Sequence, residues 1–156
     1  MIERRVAELG LKIPAPFKYP SANRTGCVQT GSLLFVSGHP PSAEVGLSIT
    51  GKVGKTVSEA DAYELARSAA LNILSSVRHK LGTLDRVRRV IKVTGMVNSA
   101  PGFNRQFAVI DGASDLFYEL FGPEYGCHTR TAVGVFELPR DFALEVEAVM
   151  ELHTSA

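Results

Sequence analysis

Residues 130–152 read RTAVGVFELPRDFALEVEAVMEL. Leu144, Val146, Ala148, Met150 and Leu152 alternate with Glu145, Glu147 and Glu151. A period of two marks a strand with one buried and one polar face. Residues 130–138 also alternate, and Pro139-Arg140-Asp141-Phe142 between the two runs is plausible turn chemistry. The expectation is a closing hairpin, 130–138 against 143–152. A regular hairpin of this kind sets Phe136 opposite Glu145 and Arg130 opposite Glu151. Arg130 and Glu145 then stand roughly 20 Å apart along the ladder at about 3.3 Å per residue. A small ligand touching both needs two chains.

Upstream, CVQT (27–30) and LLFVSG (33–38) flank Gly31-Ser32, a two-residue hairpin turn. Residues 39–57 read as a long loop or short hairpin. Ser58 is an N-cap with Glu59 and Asp61 in the first helical turn. Tyr63, Ala66, Ala70, Ile73, Leu74, Val77 and Leu81 form one apolar stripe, and Gly82 stops the helix. Residues 86–98 read as a strand with Val87, Arg89, Ile91, Val93, Gly95 and Val97 on one face. A second helix is expected from Pro101, bent or broken at Gly112 and ended by Gly122-Pro123. Residues 2–9 suit a short amphipathic helix before Gly10. The order β-β-α-β-α-β-β predicts an α+β fold with two helices packed on one face of a mostly antiparallel sheet.

With 156 residues the chain fits one domain, 1–156, large enough to fold without metal or disulfide. A net charge of +1 gives no global pull toward nucleic acid or anionic membrane. No apolar run reaches the roughly 20 residues of a membrane span, and the N-terminus lacks the apolar core of a secretory signal. Cys27 and Cys127 are expected to be free thiols in a cytoplasmic, reducing setting. His39, His79, His128 and His153 have no metal-site spacing. The segment Gly46-Leu-Ser-Ile-Thr-Gly51-Lys52 imitates a phosphate loop, but Val53 replaces the required hydroxyl residue.

Three motifs together resemble the Rid family of reactive intermediate deaminases (YjgF-type). They are Arg130-x-Ala132-Val133-x-Val135-x-x-Leu138-Pro139 followed by Leu144-Glu145-Val146-Glu147-Ala148, the strand ending Phe35-Val36-Ser37-Gly38, and the helix from Ala66 to Leu74. The likeness spans about residues 19–153 and leaves 1–18 as an N-terminal extension. The stretch NSAPGFNRQ (98–106) is also longer than in compact members. The resemblance implies a chorismate-mutase-like fold and a homotrimer. It also implies a small carboxylate metabolite in each cleft between subunits and no cofactor. The implied reaction is hydrolysis of enamine or imine carboxylates to 2-oxo acids and ammonia.

An arginine fork binds a carboxylate bidentately and stays charged; a carboxylate can place or activate water. By resemblance, Arg130 is the carboxylate anchor, Glu145 the catalytic residue, and Ser37 and Gly38 line the site. Cys27 stands where a tyrosine is usual, and Asp111 where an asparagine is usual. The first change enlarges the site, and the second adds negative charge beside an anionic ligand. Both substitutions favour an alternative, a non-catalytic metabolite-binding or regulatory module. An endoribonuclease is the distant third reading, since Arg86, Arg88, Arg89 and Lys92 have no aromatic platform between them. From the residues alone, a pair between Arg130 and Glu151 is the preferred reading, and Glu145 with Glu147 reads equally as a solvated strand face or a polar subunit seam.

Overall fold

The computed structural model describes residues 1–154. In chain order the elements are α1 (Ile2–Glu8), β1 (Cys27–Thr30), β2 (Leu33–His39), α2 (Glu59–Leu81) and β3 (Val87–Asn98). They continue with α3 (Gln106–Tyr125), β4 (Thr129–Val135) and β5 (Leu144–Leu152). The five strands form one sheet in the order β1-β2-β5-β3-β4. All neighbours are antiparallel except β3 and β4, which are parallel.

That order overturns the closing hairpin. β5 lies in the middle of the sheet between β2 and β3, and β4 is an edge strand on the far side of β3. The reason lies in the two patterns. Leu144, Val146, Ala148, Met150 and Leu152 are all buried, as a central strand requires. β4 buries no residue fully, and its Val133 is 42% exposed, which suits an edge. The connection therefore crosses the end of β3 rather than turning back on β4. Buried Asn98 secures this crossing, donating from Nδ2 to Asp141 Oδ1 (3.1 Å) and Phe142 O (3.2 Å). Lys52 Nζ donates to Asn98 Oδ1 (2.7 Å) and Phe136 O (2.5 Å), so the lysine of the phosphate-loop imitation serves the backbone instead. Arg140 and Asp141 adopt left-handed φ of 54° and 58° within this crossing. Such values are uncommon outside glycine.

The face of β3 also departs from simple alternation. Register shifts fall between Val87 and Arg89 and between Val90 and Lys92. Each irregularity moves the inward phase by one residue. Val87, Val90, Val93 and Val97 are consequently buried, while Arg89 and Ile91 are not.

α2 starts and stops as its sequence dictates. The Ser58 hydroxyl accepts from Asp61 N (3.0 Å), and Gly82 caps the end at φ 80°. Of the expected stripe, all but Tyr63 are buried. α3 begins at Gln106, five residues after Pro101, because residues 101–104 form a turn and irregular coil. Gly122 has φ 78° and ψ 174°, so the helix is interrupted there, and a last turn follows at Pro123. Gly112 does not break the helix; it lets α3 meet α2. A β-carbon there would fall on the Tyr63 carbonyl and lie 3.1 Å from Arg67 N.

α2 and α3 cover one sheet face, joining its inward valines and leucines in one core. α1 is a third helix, packed beside α3. It is pinned by Glu3, whose carboxylate takes Arg78 Nη2 (2.6 Å), Arg78 Nε (3.1 Å) and Leu84 N (2.8 Å). Among the described residues no helix covers the other sheet face. There Val28 and Phe35 are 57% and 47% exposed, beside Lys92, Thr94 and Glu147.

Candidate functional site

The helix face carries the first cluster. Phe107, Asp111 and Ser114 are spaced i, i+4 and i+7, so they share one side of α3. Arg130 sits on β4 opposite Val93, whose side chain is buried toward the helices. Its Nη1 donates to Asp111 Oδ1 (2.6 Å) and Ser114 Oγ (3.2 Å), and its Nη2 to Phe107 O (3.3 Å). Ser114 Oγ in turn lies 3.0 Å from His128 Nε2, and His128 Nδ1 is 2.6 Å from Gly126 O. One tautomer satisfies both contacts: Nδ1–H donates to the carbonyl and Nε2 accepts the Ser114 hydroxyl. Burial holds the His128 pKa below its ordinary value despite the Gly126 hydrogen bond, and Arg130 adds to the depression. Neutral His128 thus orients Ser114, and Ser114 orients the guanidinium.

The second cluster lies on the open face. Ser37 and Gly38 form a bulge, two residues of β2 facing one of β5 between the Val36–Ala148 and His39–Val146 pairs. Ser37 Oγ donates to Thr25 O (2.6 Å). The bulge brings Gly38 under Glu145: a β-carbon on Gly38 would lie 2.5 Å from Oε1 and 2.8 Å from the carboxyl carbon. Burial pushes the Glu145 carboxyl above its ordinary pKa, and Glu147 pushes it further the same way. No hydrogen bond to the protein offsets that shift among the described residues.

The chain brings Arg130 to Asp111 and Gly38 to Glu145, but not one pair to the other. Arg130 aligns with Val93 and Glu145 with Met96. The offset is roughly 10 Å along the strands and roughly 10 Å across them, with the two side chains on opposite faces. Arg130 does not pair with Glu151, whose partner is Arg88 at 3.4 Å. Cys27 is 2% exposed on β1, and its thiol is pushed up to about 11 by burial, partly offset by Lys80. It lines a recess with Tyr19, Ser76, His79 and Lys80. Tyr19, from the segment before β1, went unnoticed in the sequence. Its buried hydroxyl lies near Ser37 without hydrogen-bond geometry, and burial raises its pKa. Ser114 also escaped notice, although its spacing from Asp111 was there to be read. Among the described residues no group of three or more His, Cys, Asp or Glu is arranged to hold a metal. No helix is long and apolar enough to cross a membrane.

A central β5, an edge β4 parallel to β3 and two helices on one face define an α+β fold of the chorismate-mutase-like kind. Residues 3–149 match the family model described as "YjgF/chorismate_mutase-like, putative endoribonuclease", and the chain belongs to that family. It is 41% identical to Protein TCP17 of Trypanosoma cruzi over 152 residues, 97% of this chain and 94% of that one. It is 40% identical to a crystallised Agrobacterium tumefaciens protein of unknown function, with a TM-score of 0.87 and coverage of 97% and 92%. Against E. coli TdcF with bound serine, identity is 25%, TM-score 0.58 and coverage 90% and 94%.

Proposed function

We propose that the protein hydrolyses small imine or enamine carboxylates to 2-oxo acids and ammonia, in clefts shared by the chains of a homotrimer. The observation that carries this is the wired guanidinium of Arg130. Its donors are held by three groups of α3 while Nε–H stays unpartnered among the described residues. A fixed fork with a free edge suits a ligand carboxylate. Glu145 supplies the other requirement: a carboxylate with a raised pKa is a better-matched base for water at neutral pH. An enamine first takes a proton at its β-carbon to become the protonated imine. Water oxygen then adds to the C=N carbon, and Glu145 takes one water proton and passes it to nitrogen. The remaining hydroxyl proton leaves to the freed carboxylate as C=O forms and the C–N bond breaks, releasing ammonia and the 2-oxo acid.

Two chains are required because the halves lie on opposite faces of one sheet. The uncovered face, with Val28 and Phe35, is the surface such an assembly would bury. The serine bound by the related E. coli protein is of the size and charge this reading expects. The test is ammonia release from imines generated in place by an amino-acid oxidase, with light scattering on the same sample. Turnover by an assembly of three chains, lost in Arg130→Ala and in Glu145→Gln, is the expected result. The Arg130–Asp111 contact favours a second reading, a binding module without turnover. Serine binding with no ammonia from any imine would select it.

A further inference from the structure

Asp111 is more than a support for Arg130. The arginine has five N–H donors; three are committed to Asp111, Ser114 and Phe107. Nε–H and one Nη2–H have no partner among the described residues. Asp111 Oδ2 has none either, and the Asp111 side chain is 46% exposed while that of Arg130 is 23% exposed. Two donors and one acceptor are thus uncommitted around one ion pair. Two neighbouring groups leave that balance unchanged. His128 is held neutral by burial, and Arg105, stacked over Phe107 at 5.1 Å, is matched by Glu59 at 2.8 Å.

A ligand with only a carboxylate would meet Arg130 donors whose charge is already matched by Asp111 at 2.6 Å, and beside them the uncommitted Oδ2. Like charges that close oppose each other even where solvent reaches one of them. A ligand with a protonated nitrogen next to its carboxylate satisfies both groups at once.

We infer that Asp111 is a specificity-determining residue: the site takes zwitterionic α-amino and α-iminio carboxylates and rejects 2-oxo and 2-hydroxy monoanions. This rests on the proposed site at Arg130. It adds a consequence for turnover. Asp111 favours the iminium form, whose carbon is the more electrophilic. The 2-oxo acid product has lost its nitrogen, and Asp111 repels it.

Titration calorimetry with serine and glycerate tests this, since the two differ only in ammonium against hydroxyl. The wild-type protein is expected to bind serine at least tenfold tighter. Asp111→Asn, nearly isosteric, should shrink that ratio tenfold or reverse it. Asp111→Ser, assayed alongside with a thermal melt, covers any folding defect of the first variant. Arg130→Ala should lose both ligands. Equal wild-type binding of the two, or an unchanged ratio in folded Asp111 variants, overturns the inference. If Arg130→Ala still loses binding in that case, the site itself survives. Retention of both ligands by Arg130→Ala, or no wild-type binding at millimolar concentration, removes the site and the inference together.

Discussion

The Arg130 cluster and the Glu145 cluster are opposite solutions to placing a charge. Arg130 is held by Asp111, Ser114 and Phe107, with His128 behind Ser114. Its position is fixed before any ligand arrives, which limits the entropy lost on binding. Glu145 has a glycine beneath it and another carboxylate near it. It is half-buried and poorly stabilised as an anion. The first arrangement suits a binding anchor whose charge must never change. The second suits a group that must gain and lose a proton. On the proposed two-chain reading, their placement on opposite faces of one sheet makes each cluster half of a cleft.

The largest effect should come from removing either half. Glu145→Gln should lower the rate by about 10²–10⁴-fold, the usual range for a positioned base. Arg130→Ala should remove charged hydrogen bonds worth about 1.5–3 kcal/mol each. Co-refolding equal amounts of the two variants should restore about one quarter of wild-type activity, if chains assort independently across a heterologous interface. No recovery after verified mixing would break the comparison. The stability of Glu145→Gln sharpens it. A carboxyl with a raised folded pKa destabilises the fold progressively as pH rises past the unfolded pKa, and fully once pH exceeds the folded one. Glutamine should therefore melt at the same temperature as wild type or higher at neutral pH; a lower melting temperature would show that Glu145 is structural.

Two glycine substitutions separate the clusters by mechanism. Gly112→Ala drives a methyl into the α2 backbone at Tyr63 and Arg67, which cannot swing away. Overpacking of this kind costs about 1–3 kcal/mol or more, and it displaces the helix carrying Phe107, Asp111 and Ser114. A large fall in denaturation midpoint with loss of serine binding is expected. Gly38→Ala meets the flexible Glu145 side chain, from Cγ to Oε1, rather than backbone at its nearest contacts. It should leave stability within about 1 kcal/mol of wild type while reducing turnover roughly tenfold through a misplaced carboxylate. Equal behaviour of the two variants would erase the distinction drawn here.

The sequence was most legible where a pattern was local. The Ser58 cap, the α2 stripe and the Gly82 stop are set by neighbouring residues. So is the alternation of β5, and each formed as read. Strand partnership is not local. Alternation shows which face of β5 is buried, but not that β2 and β3 flank it, so adjacency in sequence mistook a crossing for a hairpin. The shifts in β3 were equally hidden, because Val90 and Ile91 look alike to a period-two reading. In the site, Arg130, Asp111, Gly38 and Glu145 stood out through motif and chemistry. Ser114 did not, and His128 did so only by lying two residues before Arg130, since their part depends on how the end of α3 meets the start of β4.

The smallest effect concerns His128, where the wiring of the Arg130 cluster can be loosened without touching Arg130 or Asp111. In the fold its pKa lies below the ordinary value of about 6.5. The unfolded chain therefore binds a proton on His128 first as pH falls. Stability should drop from about pH 6.5 downward and level off once the folded imidazole is also protonated. Protonated His128 can no longer accept the Ser114 hydroxyl, and it places a second cation near Arg130. The Ser114 hydroxyl hydrogen must turn away, and its oxygen then accepts from two cations, which weakens its hold on the guanidinium. Serine binding should weaken modestly, about twofold to fivefold, over the same pH interval, on the order of half to one kcal/mol, as for one neutral hydrogen bond. His128→Asn retains polarity but cannot titrate, so its binding should be weaker than wild type at neutral pH and flat with pH. Calorimetry from pH 7.5 to pH 5 on both proteins reads this directly. A wild-type profile as flat as that of His128→Asn would show that Asp111 and the Phe107 carbonyl suffice to hold the arginine, and that the chain through Ser114 is packing rather than positioning.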